Sequence, residues 1–272
     1  MAGIKILENC TIRVTPPNQF NDPFEFASYG TGIIDRGHII SLIEDEQLLL
    51  ERYKLIAKDS GMSLEQYRED QATLLSDNGR LQQEIATATQ LYMEWAAHFV
   101  DQVSHNAGVV CLTEDDTSIL MWSHYASNHE GLMIGLDVDR LPYLKLFNVE
   151  YTTEHQLPID LSRVHLMEYL QEQYVAIMRR KFSVWGYEKE YRMQFHFSVC
   201  EQIPAIGMWF YRFDPEVVRS VTIGMKCKIE DREHVLSLLA EPRFAHVQVK
   251  EAVKDKTEYQ VRYKEVRPAS AI

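Results

Sequence analysis

Polar and hydrophobic residues alternate without interruption from Glu188 to Phe197, a pattern that predicts a β-strand. Successive side chains of a strand point to opposite faces of the sheet. The polar face would carry Glu188, Glu190, Arg192, Gln194 and His196. The other face would place Tyr191, Met193, Phe195 and Phe197 against an apolar core. The pattern fits a half-buried antiparallel strand whose polar face meets water, and it equally fits a row of reactive groups on a rigid support.

Residues 39–103 are rich in Leu, Glu, Gln, Ala and Lys and contain almost no proline, which predicts two or three helices. Ser63 followed by Gln66 has the spacing of a capping box at a helix start. Gly61 and Gly79 are predicted breaks between helices. This segment is therefore expected to form a helical insertion.

The rest of the chain shows shorter apolar runs. Strands are predicted at 109–112, 132–136, 146–151 and 261–266. Helices are predicted at 118–128 and 164–178, a strand-helix-strand unit at 217–249, and short extended segments separated by turns at 4–29. The strands do not alternate with helices one for one, so we expect an α+β fold with a mixed, mainly antiparallel sheet core, rather than a doubly wound parallel sheet. We expect a single domain over residues 1–272.

Composition and charge restrict the class of protein. The 272 residues include 46% hydrophobic and 25% charged residues, which is typical of a soluble globular protein. The net charge of −12 opposes broad binding to a phosphate backbone, although a local basic pocket stays compatible with it. We therefore expect no general nucleic-acid partner.

The cysteines and the apolar runs indicate the compartment. The four cysteines lie far apart and form no CxxC pair, so neither a structural zinc site nor a disulfide framework is predicted. No segment has the uninterrupted apolar length of a membrane span, and the first residues lack a signal peptide pattern. We expect a cytoplasmic protein with no membrane partner.

Reactive and aromatic side chains are concentrated between Trp122 and Gly131. On one helix, Trp122, Tyr125 and His129 would share a face. His124 and His129 are five residues apart, a spacing that excludes a helix-borne zinc pair. His129 would lie at the negative end of the helix, which favours its protonated form and an anion partner; a surface histidine at a helix terminus is the alternative. His124 is either catalytic or a hydrogen-bonded core histidine.

A third concentration surrounds Asn21, Asp22 and Pro23. Asn and Asp before proline form turns through hydrogen bonds from side chain to backbone. A rigid turn can also present amides to a ligand. Nucleophile elbows and glycine-rich phosphate loops are missing from the sequence. What is left is a carboxylate-centred site with His, Tyr and Trp residues around it.

Three blocks of the sequence resemble a large bacterial family known as domain of unknown function 2971. The blocks are Phe20–Glu25, Met121–Tyr125 with His129–Gly131, and Lys181 with Trp185, Glu188, Glu190 and Arg192. Their order is also similar to that of ADP-ribosyltransferases, although this chain lacks a clear Ser-Thr-Ser strand. This second resemblance is an analogy of motif order.

The resemblance to ADP-ribosyltransferases implies NAD as the substrate, with a nucleotide-type small molecule and a protein acceptor as partners and no metal. Glu190 would stabilise an oxocarbenium-like transition state, and Glu188 would orient the acceptor. Aromatic residues, Tyr125 or Trp122, would stack on nicotinamide, and His124 would contact the ribose. The remaining nucleotide contacts would come from Asn21, Asp22, His129, Trp185 and a diphosphate-binding arginine, either Arg192 or Arg13.

Two other functions fit the same residues. One is a phosphoester hydrolase that uses a metal or the histidines His124 and His129 together with the acidic row. The other is a non-catalytic interaction protein in which Trp185, Glu188, Glu190 and Arg192 form a buried network of ion pairs and hydrogen bonds. The sequence predicts no oligomeric state.

Overall fold

A computed structural model describes residues 2–26, 36–154 and 166–267. The chain forms two compact units. The sheet unit comprises Met1–Phe20, Val103–Tyr151 and Ser183–Ile272, and the helical unit comprises Asn21–Gln102 and Thr152–Phe182. Nearly all of the predicted helical insertion falls in the helical unit. The single domain expected from the sequence stays a prediction.

The helices of the described residues are α1 (Ala2–Asn9), α2 (Arg36–Glu44), α3 (Glu46–Ser60), α4 (Leu64–Ser76), α5 (Asn78–Asn106), α6 (Ile119–Tyr125), α7 (Leu166–Arg179) and α8 (Ile229–Leu239). The strands are β1 (Thr11–Val14), β2 (Ala107–Thr113), β3 (Leu132–Leu136), β4 (Lys145–Asn148), β5 (Glu150–Thr152), β6 (Arg180–Phe182), β7 (Glu190–His196), β8 (Glu201–Ile203), β9 (Met208–Arg212), β10 (Val218–Ile223), β11 (Gln248–Lys254) and β12 (Val261–Arg267). None of these helices carries an apolar stretch long enough to traverse a bilayer.

The sheet unit confirms the predicted α+β class. Its sheets have the strand orders β1-β9-β8, β12-β11-β10-β3 and β2-β7-β4. The pairs of the first and third sheets are antiparallel, whereas β10 and β11 are parallel and have α8 between them in the chain. A parallel pair needs such a crossover, and this one accounts for the predicted strand-helix-strand unit.

Strand β7 is the middle strand of its sheet and positions the polar row. Its apolar residues Met193 and Phe195 are fully buried in the main core. The polar residues Glu190, Arg192 and Gln194 are buried as well, so the half-buried strand with one face in water was the wrong interpretation. Both faces of this strand are covered by protein.

The strand also begins two residues later than predicted. Glu188 ends a 3-10 helix (Ser183–Glu188), and β7 starts at Glu190. The residue between them, Lys189, has a φ of +44°, a left-handed conformation that breaks an extended run. Glu188 is therefore not a member of the polar face of β7.

The beginning of the chain differs from the prediction. Residues Ala2–Asn9 form helix α1, where extended segments were expected, and Thr11–Val14 forms the predicted strand. Ile4 and Leu7 are buried in the core of the sheet unit. This packing stabilises a helix that would be too short to be stable by itself. The last three residues of the predicted segment, 27–29, lie outside the described residues.

The helical unit and the segment leading out of it contain α2 to α5, whereas two or three helices were predicted. The capping box of Ser63 and Gln66 is confirmed at the start of α4. Gly61, with a φ of +64°, ends α3 as expected. Gly79 lies inside α5, because the boundary between α4 and α5 is at Asp77. The side chain of Asp77 accepts hydrogen bonds from the first turn of α5.

The predicted helix 118–128 is shorter in the structure. Helix α6 ends at Tyr125, and Ser127, Asn128 and His129 follow with φ of +49°, +56° and +69°. Consequently His129 lies in a left-handed turn and not at a helix terminus. For the predicted helix 164–178, α7 covers Leu166–Arg179, and the first two predicted residues fall outside the described part of the chain.

Candidate functional site

A short hydrogen bond joins the second and third sequence blocks in the sheet unit. The hydroxyl of Tyr125 donates to Oε1 of Glu188 over 2.6 Å. Tyr125 is the last residue of α6 and is 56% exposed, whereas Glu188 is 3% exposed. A buried carboxylate therefore lies directly beneath a phenol that solvent can reach.

The backbone around Glu188 is held by the last residue of β2 and by the loop after it. The hydroxyl of Thr113 donates to the Glu188 carbonyl over 2.6 Å, and Lys189 forms an ion pair with Asp115 at 2.9 Å. Burial acts against ionisation of Asp115, but Lys189 and the donors of Thr117 outweigh it and hold the pKa of this carboxyl below its usual value. The same contact, a hydrogen bond to Asp115, raises the pKa of Lys189. These contacts fix the left-handed conformation that turns Glu188 away from the strand.

A series of aromatic rings extends from Tyr125. The ring of His124 lies 6.4 Å from that of Tyr125 and 6.2 Å from that of Tyr187. Trp185 continues the series, with its ring centroid 6.2 Å from that of Tyr187. His124 is exposed, so it is not the buried core histidine of the alternative interpretation. Ring faces of this kind can contact a planar ligand.

Glu190 and Arg192 form a buried ion pair on β7. Nε of Arg192 lies 2.7 Å from Oε1 of Glu190, and Nη2 lies 3.5 Å from Oε2. The guanidinium also lies over the ring of Phe20 at 5.8 Å. The backbone N–H of Glu190 donates to the hydroxyl of Tyr151 over 2.8 Å. Both charges are thus enclosed, as the buried-network interpretation of these residues expects.

Trp122 and His129 belong to a separate cluster. Trp122 is 3% exposed and packs with Ala252 and Val261, so its ring is not available to stack on a ligand. His129 lies parallel to it, with ring centroids 6.3 Å apart, and its Nε2 lies 3.1 Å from the Ser123 hydroxyl. The helix face that was predicted to carry Trp122, Tyr125 and His129 together is therefore divided.

The protonated form expected for His129 is not favoured. Burial, and then the nearby positive charge of Lys226, lower the pKa of His129 below its ordinary value. The expectation depended on a helix terminus at His129, and the helix ends four residues earlier. His129 therefore lacks the stabilisation that the negative end of a helix dipole would give to its protonated form, and burial and Lys226 favour the uncharged imidazole.

The first block is divided between the two units. Phe20 contacts Arg192 in the sheet unit, and Asn21 and Asp22 lie in the helical unit. The predicted turn is confirmed, because Oδ1 of Asp22 accepts a hydrogen bond of 2.9 Å from the N–H of Phe24. Arg13, the other arginine proposed for a diphosphate, is exposed on β1 in the sheet unit.

Within the helical unit, Lys181 of the third block forms a buried ion pair of 3.1 Å with Glu25 of the first block. This pair borders a cavity of about 250 Å³. The walls of the cavity are formed by Asp22, Phe24, Glu25, Thr152–Glu154 and Arg180–Phe182. The first and third blocks therefore make a contact in each unit.

The described residues contain no group of three or more His, Cys, Asp or Glu side chains that could hold a metal ion. Sequence reasoning did not assign roles to Thr113, Tyr151 and Tyr187, which contact the backbone or the rings of the site. Thr113 ends β2 and Tyr151 lies within β5, both far from Glu188 in sequence, and no local pattern connects them with it.

Residues 121–193 match the model of the family described as "Protein of unknown function (DUF2971)". The predicted resemblance to this family is confirmed over that segment, which contains the second block and all of the third. No curated protein and no solved structure matches the chain. The similarity to ADP-ribosyltransferases stays a prediction.

Proposed function

We propose that this protein is an NAD-consuming enzyme with ADP-ribosyltransferase-like chemistry, whose reaction takes place at the contact between Tyr125 and Glu188. The hydrogen bond of 2.6 Å between them supports the proposal most directly. This hydrogen bond joins the carboxylate of the third sequence block to an exposed phenol of the second block. The ring of His124 lies beside Tyr125, and the ring of Tyr187 lies beside His124.

The proposed reaction is cleavage of the bond between nicotinamide and ribose. The bonding electron pair leaves with the nicotinamide nitrogen, which becomes neutral, and an oxocarbenium-like ribose is left behind. A carboxylate close to the anomeric carbon stabilises this cation, as it does in glycoside cleavage. Water or a protein acceptor then forms the new bond and loses a proton to solvent.

The roles assigned from the sequence change in one respect. Glu188 takes the central carboxylate role, because the carboxylate of Glu190 is bound at 2.7 Å by the fully buried guanidinium of Arg192. A carboxylate engaged by a permanent cation has less charge to offer a developing cation. Glu190 and Arg192 instead act as positioning residues that hold the start of β7.

Tyr125 orients the Glu188 carboxylate and offers its exposed ring to the nicotinamide. His124, exposed next to it, supplies a hydrogen bond to the ribose. Trp185 and Tyr187 extend the aromatic surface. Arg13 is the better candidate for a diphosphate, because Arg192 is fully buried.

The non-catalytic alternative is favoured by one observation, the buried pair of Glu190 and Arg192. Such a pair is expected in a structural network as well as beneath a catalytic site. The two functions differ at Glu188, since only the enzyme requires its carboxylate for turnover. The histidine-dependent form of the hydrolase alternative uses His124 and His129, and the ring of His129 lies parallel to that of the buried Trp122.

The test uses the purified chain and NAD labelled either in the nicotinamide or in the adenosine. We expect release of labelled nicotinamide and, with lysate present, transfer of the adenosine label to protein or its recovery as ADP-ribose. Glu188→Gln should abolish both while the protein stays folded. The matched control is Glu201→Gln, at an exposed glutamate of β8, and it should retain activity. Absence of nicotinamide release and of label transfer with the wild-type chain would reject the enzyme.

A further inference from the structure

We propose that the sheet unit carries a second ligand site, which binds the phosphate groups of a nucleotide-sized small molecule. The site is a cavity of about 560 Å³. It is bordered by His129 and Ile119, by Met225 and Lys226 after β10, and by residues 254–261 between and at the ends of β11 and β12. This inference does not depend on the NAD chemistry proposed above.

The turn that carries Lys226 is packed tightly on the turn of His129. The N–H of Lys226 donates to the His129 carbonyl over 2.9 Å, and the N–H of Gly224 donates to the Gly131 carbonyl over 2.9 Å. A Cβ at Gly224 would lie 2.3 Å from the His129 carbonyl oxygen, so only glycine allows this approach. The backbone of Lys226 is therefore fixed at the edge of the cavity.

The loop between β11 and β12 is organised by Asp255. Its Oδ1 accepts hydrogen bonds from the N–H groups of Thr257 and Glu258 over 2.7 and 2.9 Å, and its Oδ2 pairs with Arg262 at 2.7 Å. The hydrogen bond from Arg262, followed by those from the backbone, holds the pKa of the Asp255 carboxyl far below its usual range. The loop thus presents Lys254 and Lys256 from a defined backbone.

Positive charge predominates in the cavity. Lys226, Lys254 and Lys256 are exposed and form no ion pair with any residue that the structure describes. The two acidic residues of the lining, Asp255 and Glu258, both face Arg262, at 2.7 and 3.8 Å. In a chain with a net charge of −12, the three lysines and Arg262 outnumber the two carboxylates at this cavity, which favours an anion, and phosphate accepts such charge-assisted hydrogen bonds.

The size and the walls of the cavity define the ligand further. Its volume falls in the range of small-molecule sites, roughly 300–1,000 Å³, and is larger than one phosphate requires. Tyr259 is fully exposed and Ile119 is partly exposed on its walls. An aromatic side chain beside lysines can stack on a planar ring while the lysines bind phosphate. These features indicate a nucleotide-type ligand.

Titration calorimetry at low ionic strength with pyrophosphate and with ADP tests the site. We expect the wild-type chain to bind both, and the triple variant K226Q/K254Q/K256Q to lose at least about tenfold in affinity for each. The matched control is K145Q/K228Q/K264Q, which removes three exposed lysines elsewhere in the sheet unit. It should bind both ligands as the wild type does. Equal losses in the two triple variants, or no binding to the wild type, would overturn the proposal.

Two further variants define the ligand class and its independence from the other site. ADP should bind more tightly than pyrophosphate, and Tyr259→Ala should remove this difference; equal affinities in the wild type would overturn the nucleotide assignment. Glu188→Gln should bind pyrophosphate with the affinity of the wild type. The result therefore distinguishes failure of the NAD proposal from failure of this one. Pyrophosphate should also shift the NMR signals of the His129 imidazole, and unchanged signals would contradict the location.

Discussion

Arg192 and Glu190 form an ion pair of 2.7 Å within the sheet unit, and both side chains are almost completely buried. They are two residues apart on β7, so the strand itself places them on the same face. The ring of Phe20 covers the guanidinium. The polar row of the sequence is thus mainly an internal structure, and the exposed group nearby is the phenol of Tyr125, which donates a hydrogen bond to Glu188.

The first prediction concerns the stability of this pair. Glu190→Gln removes the charged carboxylate that pairs with a buried guanidinium, so we expect the free energy of unfolding to fall by roughly 3–5 kcal/mol. Urea denaturation measures the change. Glu201→Gln removes the partner of the exposed Arg212 and should cost less than about 1 kcal/mol. Similar stability for Glu190→Gln and the wild type would contradict the internal role of the pair.

A second prediction follows from the close packing of Gly224. Its Cβ would lie 2.3 Å and 2.7 Å from the carbonyl oxygens of His129 and Gly131, and backbone atoms cannot move away cheaply. We expect Gly224→Ala to lower the free energy of unfolding by about 1–3 kcal/mol. At Gly186 the nearest atom would be 3.8 Å away, so Gly186→Ala serves as the control and should change stability little. Equal effects of the two substitutions would show that the turns are not packed in this way.

A third prediction concerns pH. Burial lowers the pKa of His129 below its ordinary 6.5, so at acidic pH the unfolded chain binds a proton that the folded chain does not. The folded protein should therefore lose stability as the pH falls from about 6.5 towards the lowered pKa. His129→Gln should remove this part of the pH dependence in melting experiments, whereas His196→Gln, at an exposed histidine, should leave it in place. A pH dependence unaltered in the His129 variant would refute the assignment.

A fourth prediction concerns the thiols. Burial raises the pKa of Cys200 to about 11 and also raises the pKa values of Cys10 and Cys227, whereas Cys111 is exposed. Thiolates react and thiols do not, so iodoacetamide at pH 8 should label Cys111 first. Peptide mass spectrometry over a time course gives the order. Faster labelling of Cys200 than of Cys111 would contradict it.

The fold shows what sequence patterns can and cannot predict. Strand β3, Leu132–Leu136, was predicted with its observed bounds because an apolar run follows directly after Gly131. The start of β7 was placed too early because alternation continues through Glu188, and no pattern indicates that Lys189 takes a positive φ. Helix α1 was missed because its stability comes from the burial of Ile4 and Leu7 by distant segments.

The site was predictable in its residues and not in their arrangement. His124, Tyr125, Trp185 and Glu188 were all named from local concentrations of reactive groups. The contact between Tyr125 and Glu188 spans 63 positions of the chain, and it depends on a left-handed turn that the sequence does not indicate. The burial of Trp122 likewise depends on packing against β11 and β12, which lie far along the chain.

The most direct test of the account is nicotinamide release from NAD measured side by side with thermal unfolding for the wild type, Glu188→Gln and Glu190→Gln. The account predicts that Glu188→Gln unfolds at the wild-type temperature and releases no nicotinamide, whereas Glu190→Gln unfolds at a clearly lower temperature. Nicotinamide release by Glu188→Gln at the wild-type rate, or no release by the wild type at all, would contradict it.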